Sequence, residues 1–406
     1  MTSPEHESVE PDGDSPELPE ALQAIITQAI AETATDVHID AWSDGAAIRY
    51  RVDGAVQEKE LLTPNQAATI INQIKVAAGL DVNVTRAPLD GHFSFISNGT
   101  SRSVRATIIP TAPHHRSAHL RLLNAPGNLL ELTHLGLSPE GHAAVERVMD
   151  NPRGLITIVG PTGSGKTTTL YALAQMADAR RQVIASIEDP VEFDIPFVRQ
   201  IEVDPNHGVT MERGLRSILR SDPDVILVGE ISDRPSAAIA GYAALAGRLV
   251  VLTIHGREPA AAVESMHYLS VPYYIVGAVL RLIVSQNLVR CLCPDCAGAR
   301  PLQPHERVFF KRAGVTAPDI VHEPIGCPAC HGYGYRGRTG VFEIVPVDDE
   351  LGAWIGSGKH HLNAIRTRLT EVATRSLTSN AMSKVAEGVT SLSEVLPLLS
   401  HGATGA

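Results

Sequence analysis

The spacing of apolar positions changes once along this chain, near residue 130. Before that point the pattern is mixed. LPEALQAIITQAIAE (18–32) carries apolar residues three and four apart, as a helix with one buried stripe does. AAIRYRVDG (46–54) alternates like a half-buried strand and stops at Asp53-Gly54, a pair suited to a tight hairpin turn. TPNQAATIINQIKVAAG (63–79) opens on Thr-Pro and stops at Gly79, the start and stop signals of a second helix. HFSFIS (92–97) and SVRATII (103–109) alternate again and predict short strands. Residues 19–128 therefore read as a small α+β domain.

Beyond it, short β-branched runs alternate with helical stretches: LITIV (155–159), VIASI (183–187), VILV (225–228) and LVVLTI (249–254). That alternation predicts βαβ units and a mainly parallel sheet. Residues 129–406 read as one α/β domain, interrupted at about 291–340 by paired cysteines and many glycines. From about 348 the chain turns helical, with HHLNAIRTRLTEVATRSL (360–377) and MSKVAEGV (382–389) as amphipathic pieces.

Charge and composition narrow the picture. Residues 1–18 hold six acids and no Lys or Arg, which predicts a disordered acidic tail. The net charge of -11 argues against a broad nucleic-acid surface, which needs clustered Lys and Arg. The N-terminus has neither a basic nor an apolar segment of an export signal, and no apolar run approaches the roughly 18 residues of a membrane span. A cytoplasmic location is expected. In that reducing compartment the five cysteines point to metal rather than disulfides.

GPTGSGKTTTLY (160–171) carries the clearest chemistry. The spacing G-x-x-x-x-G-K-T follows a predicted strand and opens a predicted helix, the context a phosphate-binding loop requires. In the loop Gly160, Pro161, Thr162, Gly163, Ser164 and Gly165, every residue but Pro161 has a backbone N–H to turn toward an anion, and the helix start at Lys166, Thr167 and Thr168 adds its dipole. Lys166 would reach the β- and γ-phosphates of a nucleotide, and the Thr167 hydroxyl would hold Mg²⁺. Three later strands end in polar groups: VIASIEDPVE at Glu188 and Asp189, DPDVILVGE at Glu230, LVVLTIH at His255. Ligands of open parallel sheets sit outside the carboxyl ends of the strands, so all three endings are expected beside Lys166.

Cys293/Cys296 and Cys327/Cys330 form two C-x-x-C pairs. Two such knuckles close a tetrahedral S₄ site suited to Zn²⁺, closed and therefore structural. Cys291 is left over and reads as a small buried apolar residue.

Residues from about 35 to 345 resemble the type II secretion and type IV pilus assembly ATPase family. The likeness rests on IEDPVE (187–192), GLRSILRSDPDVILVGEI (214–231), TIH (253–255), the pairs CPDC and CPAC, and GYGYRGRTGVFEI (332–344), with ATDVHI and YRVDG upstream. It implies a RecA-like P-loop ATPase core, a smaller PAS-like N-terminal domain and a zinc-binding subdomain. It implies roles as well: Glu188 as the catalytic glutamate, Glu230 as the Walker B acid near Mg²⁺, His255 as the sensor of the γ-phosphate. Gly229 stands where most phosphate-loop enzymes carry Asp, a substitution the family shares. Arg86, Arg105 and Arg121 match arginines that face nucleotide across an interdomain cleft in the family.

The same resemblance implies a motor. Homohexameric rings of the family drive an inner-membrane platform protein that assembles pilin-like subunits, which would place this chain in the cytoplasm, peripheral to the inner membrane. Only about 30 residues precede ATDVHI, so a membrane-docking adaptor is expected in place of the extra N-terminal domain of longer members. A DNA-uptake or DNA-translocating ATPase and a non-hydrolysing, nucleotide-gated scaffold are the alternatives. The acidic balance disfavours the first, since no direct nucleic-acid contact is expected, and the retained Glu188 disfavours the second.

Overall fold

A computed structural model describes residues 18–97, 100–112, 115–123 and 131–399. The expected acidic tail lies outside them except for Leu18, which is packed into a core. The chain divides into two compact units, Met1–Ala125 and Pro126–Ala406.

In the first unit, α1 (Glu20–Ala31) and α2 (Pro64–Ala77) pack on a six-stranded sheet. Its strands are β1 (Ala34–Ala41), β2 (Ala46–Val52), β3 (Ala55–Leu62), β4 (Leu89–Ser97), β5 (Thr100–Thr111) and β6 (His115–Leu123). They run antiparallel in the order β3-β2-β1-β6-β5-β4. The turn foreseen at Asp53-Gly54 joins β2 to β3, with φ of 50° and 83°, the left-handed pair a two-residue hairpin requires. Thr63 and Gln66 close a reciprocal cap at the start of α2. Leu22, Ile26, Ile71 and Ile74 of the helices meet Val37, Ile39, Ile48 and Leu120 of the sheet in one core. Alternation leaves Asp36, His38 and Asp40 on the opposite face of β1. This is the PAS-like α+β arrangement.

The second unit is a sheet covered on both faces. β7 (Gly154–Gly160), β8 (Ile184–Glu188), β9 (Val198–Glu202), β10 (Val225–Val228), β11 (Leu249–His255), β12 (Leu280–Leu292) and β15 (Tyr335–Pro346) stand in the order β15-β12-β7-β11-β10-β8-β9. All neighbours are parallel except β12 and β15. Ile156 and Ile158 pack toward α3 (Pro139–Met149) and α4 (Lys166–Met176). Leu155 and Val159 face the opposite layer, which includes α5 (Met211–Leu219), α6 (Arg234–Leu245), α7 (Ala260–Tyr268), α8 (Tyr273–Val279), α10 (Asp349–Gly356) and α11 (Leu362–Val372). A strand buried on both faces must be apolar throughout, which is why LITIV and VILV read as unbroken runs. The RecA-like core is thus present, with the expected helix beginning at Lys166.

A third cluster gathers Val289, Leu302, Phe310 of α9 (Arg307–Arg312), Val321 of β14 (Ile320–Glu323), which pairs with β13 (Gly298–Pro301), and Val341 with residues of α12 (Leu377–Ala386) and α13 (Leu392–Leu399). The helix expected over 360–377 is shorter and spans Leu362–Val372. It stops at Val372, and Ser376 caps α12 by accepting from the Ser379 N–H. Among the described residues no helix is long and apolar enough to cross a membrane.

Candidate nucleotide site and cysteine cluster

Parallel pairing of β7 with β11 sets Gly160 opposite His255, so the phosphate loop and the end of β11 meet by register alone. Gly160 has no room for a side chain: a Cβ there would lie 2.3 Å from Ser164 Oγ and 2.7 Å from Gln286 O. Gly165 caps α4 with φ 85° and no side-chain acceptor, leaving the first N–H groups of the helix without an internal partner. Ser164 Oγ is buried without a hydrogen bond. Beneath the loop, buried Gln286 donates from Nε2 to Ser164 O at 2.7 Å. Lys166 is 9% exposed, and its Nζ donates to Gly160 O at 2.9 Å and Pro161 O at 3.1 Å. Burial pulls its pKa below the ordinary lysine range, with the Glu230 charge opposing. A cation parked on carbonyls, an uncapped helix start and an orphaned hydroxyl are together what a phosphate chain would satisfy.

His255 joins this cluster from the side. Its Nδ1 lies 3.4 Å from Lys166 Nζ and its Nε2 2.7 Å from Glu230 Oε1. The Glu230 side chain remains 41% exposed. Gly229 before it explains a departure noted in the sequence: a Cβ at 229 would approach the Glu188 Cα to 3.2 Å. An Asp there would crowd the neighbouring strand. Thr167, in the first turn of α4, is half-buried.

Glu188 is differently placed. It ends β8 and is 1% exposed. Its carboxylate accepts from the Tyr171 hydroxyl, from Ser186 Oγ at 2.5 Å and from Gln200 Nε2 at 3.1 Å. Burial first, then the Glu188 charge, pushes the Tyr171 phenol above its ordinary range, so it stays a donor. Tyr171, Ser186, Gln200 and Gln286 were not foreseen as site residues. A tyrosine among the small residues of the α4 helix, KTTTLYALAQM, was the available signal, because a buried phenol seeks a partner.

The first unit carries the arginines. Arg105 and Arg121 are direct cross-strand partners on β5 and β6, and His92 faces Arg105 from β4. Arg86 is exposed in the segment before β4. Arg121 Nε lies 3.4 Å from Asp36, which also accepts from His119 Nε2 at 2.8 Å and Thr35 at 2.8 Å. Burial works against the Asp36 charge, but those hydrogen bonds and Arg121 outweigh it and hold the carboxyl far below its usual range. In the second unit, Arg216 pairs with Glu212 within α5.

Cys293, Cys296, Cys327 and Cys330 converge, with all four sulfurs within 4.8 Å of one another. Three of the separations are 3.9, 3.7 and 3.8 Å. A tetrahedron with metal–sulfur bonds of about 2.3 Å has edges of about 3.8 Å, so the spacing suits zinc. The N–H groups of Gly326, Cys327 and Gly334 point at sulfurs, donating to Cys296, Cys330 and Cys330. Gly326, at φ 103°, lets its backbone approach Gly332, where a Cβ would lie 2.4 Å from the carbonyl oxygen. Cys291, expected to be buried, is half-exposed instead.

Residues 11–397 match the family described as Type II/IV secretion system protein. The Type II secretion system ATPase E of Vibrio cholerae serotype O1 is 36% identical over 395 residues, covering 97% of this chain and 77% of that protein. The Type II secretion system protein E of Aeromonas hydrophila is 38% identical over 388 residues, covering 95% and 76%. Among solved structures, the Legionella pneumophila ATPase DotB aligns with a TM-score of 0.69 at 20% identity, covering 97% of this chain and 98% of that one. The pilus retraction motor PilT with bound ADP aligns at 0.59 and 22% identity, covering 93% and 96%. At these identities the two structures speak for a shared fold.

Proposed function

This chain belongs to the Type II/IV secretion system protein family and is a secretion or pilus ATPase, and on that premise we propose how its residues divide the work. The observation that carries the reading is the contact chain Lys166–His255–Glu230 at the carboxyl ends of parallel strands.

In this reading the loop N–H groups and the start of α4 hold the phosphates of ATP, and Lys166 leaves its two carbonyls for the β- and γ-oxygens. Thr167 and Glu230 would hold Mg²⁺, which offsets phosphate charge when bound. Through its contact with both Lys166 and Glu230, His255 registers whether the γ-phosphate is present. A carboxylate of the acidic segment takes a proton from water as its oxygen attacks the γ-phosphorus, and ADP departs with the bridging oxygen. Such a base contributes about 10² to 10⁴ in rate. Arg86, Arg105 and Arg121 add positive charge from the first unit.

Glu188 is the base that the family resemblance implies. Its burial and three donors favour a second reading, in which Glu188 anchors the segment and Glu192, half-buried four residues on, receives the proton. Phosphate release and ATP binding by Glu188→Gln and Glu192→Gln decide between them. The base variant binds ATP and loses about 10²- to 10⁴-fold in turnover. Normal hydrolysis by both would overturn the acidic segment's role.

At the level of the assembly, the chain works as a homohexamer in the cytoplasm, peripheral to the inner membrane. There it drives a platform protein that builds a pilus or a type II pseudopilus, with an adaptor supplying the membrane contact. Four cysteines of the second unit hold a structural Zn²⁺.

A further inference from the structure

We infer that Tyr171 is a positioning residue for ATP hydrolysis, tying the helix behind the phosphate loop to the acidic segment through Glu188; the inference rests on the reading of that segment as the part that orients water. Tyr171 lies on α4 beyond Lys166 and is 0% exposed. Its hydroxyl serves two partners. It donates to Glu188 Oε2, and it accepts from the Glu192 N–H at 3.4 Å. One phenol therefore holds both ends of the stretch from Glu188 to Glu192.

The ring is fixed as well. Phe193 meets it edge-on, with centroids 4.5 Å apart and planes at 89°. Gln200 closes the far side: its Nε2 donates to Glu188 Oε1 and to Phe193 O at 3.2 Å, while its Oε1 accepts from the Ile195 N–H at 2.7 Å. Segment 188–195 is thus bound to α4 by Tyr171 and to β9 by Gln200. It lacks a regular helix or strand of its own beyond Glu188, so these side-chain bonds set its path. The packing a tyrosine ring supplies could come from phenylalanine. The hydroxyl is what reaches both glutamates, and that separates positioning from filling space. Ser186, two residues before Glu188 on β8, adds the remaining donor.

The test is Tyr171→Phe, which keeps the ring and removes the hydroxyl. Its kcat for ATP should fall by about 10- to 100-fold, the range expected for losing one hydrogen bond to a charged group. KM for ATP and the affinity for ADP should stay within about twofold, since no phosphate contact is touched. In the Glu188→Gln background the same change should cost nothing further, because both variants break one unit. Ser186→Ala, a smaller change within β8, should lower kcat in the same direction and be equally silent on Glu188→Gln; it serves if Tyr171→Phe does not fold. Normal turnover by Tyr171→Phe beside an inactive Glu188→Gln would overturn the inference and leave the reading of Glu188 standing. Losses that multiply in the double variant would also overturn it, placing Tyr171 on another route. Normal turnover by Glu188→Gln itself removes the reading of Glu188 and the inference with it.

Discussion

In the phosphate loop, Lys166 rests on the carbonyls of Gly160 and Pro161; the four cysteine sulfurs rest on one another and on three backbone N–H groups. Both sites suit a charged guest, but their geometry differs. The lysine has substitute partners it can leave, as a site that binds and releases in every cycle requires. The sulfurs already stand near the edge length of a zinc tetrahedron. Losing the first guest should cost chemistry, and losing the second should cost fold.

The sharpest way to break this contrast is Lys166→Ala. Turnover should drop by at least about 10²-fold, as for removal of a donor aimed at developing charge. Thermal stability should hold or rise, since burial disfavours the ammonium more than the Glu230 charge favours it. Phosphate release and a melting curve on one preparation check both halves; a large loss of stability would make Lys166 a structural residue. Chelation probes the other side. A strong chelator should release about one zinc per chain and lower the melting temperature by on the order of 5–10 °C. ATP turnover per folded molecule should change by less than about twofold, as metal analysis and activity on the same sample would show.

The smallest effect should come from a cluster that needs no guest. Asp36 of the first unit is satisfied by His119, Thr35 and Arg121. Asp36→Asn should cost about 1–3 kcal/mol near neutral pH. Because the folded-state pKa lies below the unfolded one, the wild-type advantage is complete above about pH 4, shrinks as pH falls past that point, and vanishes below the folded value. Melting temperatures of both proteins from pH 7 to pH 3 trace this convergence.

Local patterns were legible where one segment decides its own structure. The Asp53-Gly54 turn, the Thr63 cap and the start of α4 each follow from a few adjacent residues. β12 and β15 were hidden for the opposite reason. They are antiparallel partners separated by a long insertion, and VLRLIVSQNLVRCL reads as an apolar run that could follow α8 as helix. Segment spacing showed which polar residues end strands, but not their surroundings. Glu188 and Glu230 look alike in sequence; only side chains from α4 and β9 make one closed and the other open.

The pairing of β12 with β15 continues to Leu292 opposite Tyr335. Residues 293–334, with all four clustered cysteines, are therefore a graft on the tip of a hairpin whose cut ends already touch. Geometry alone would let a short turn replace the graft. Its apolar residues, Leu302, Phe310 and Val321, nevertheless share a core with Met382, Val385 and Val395. A shortened chain would bare the apolar faces of α12 and α13 that meet these residues and would need polar side chains there.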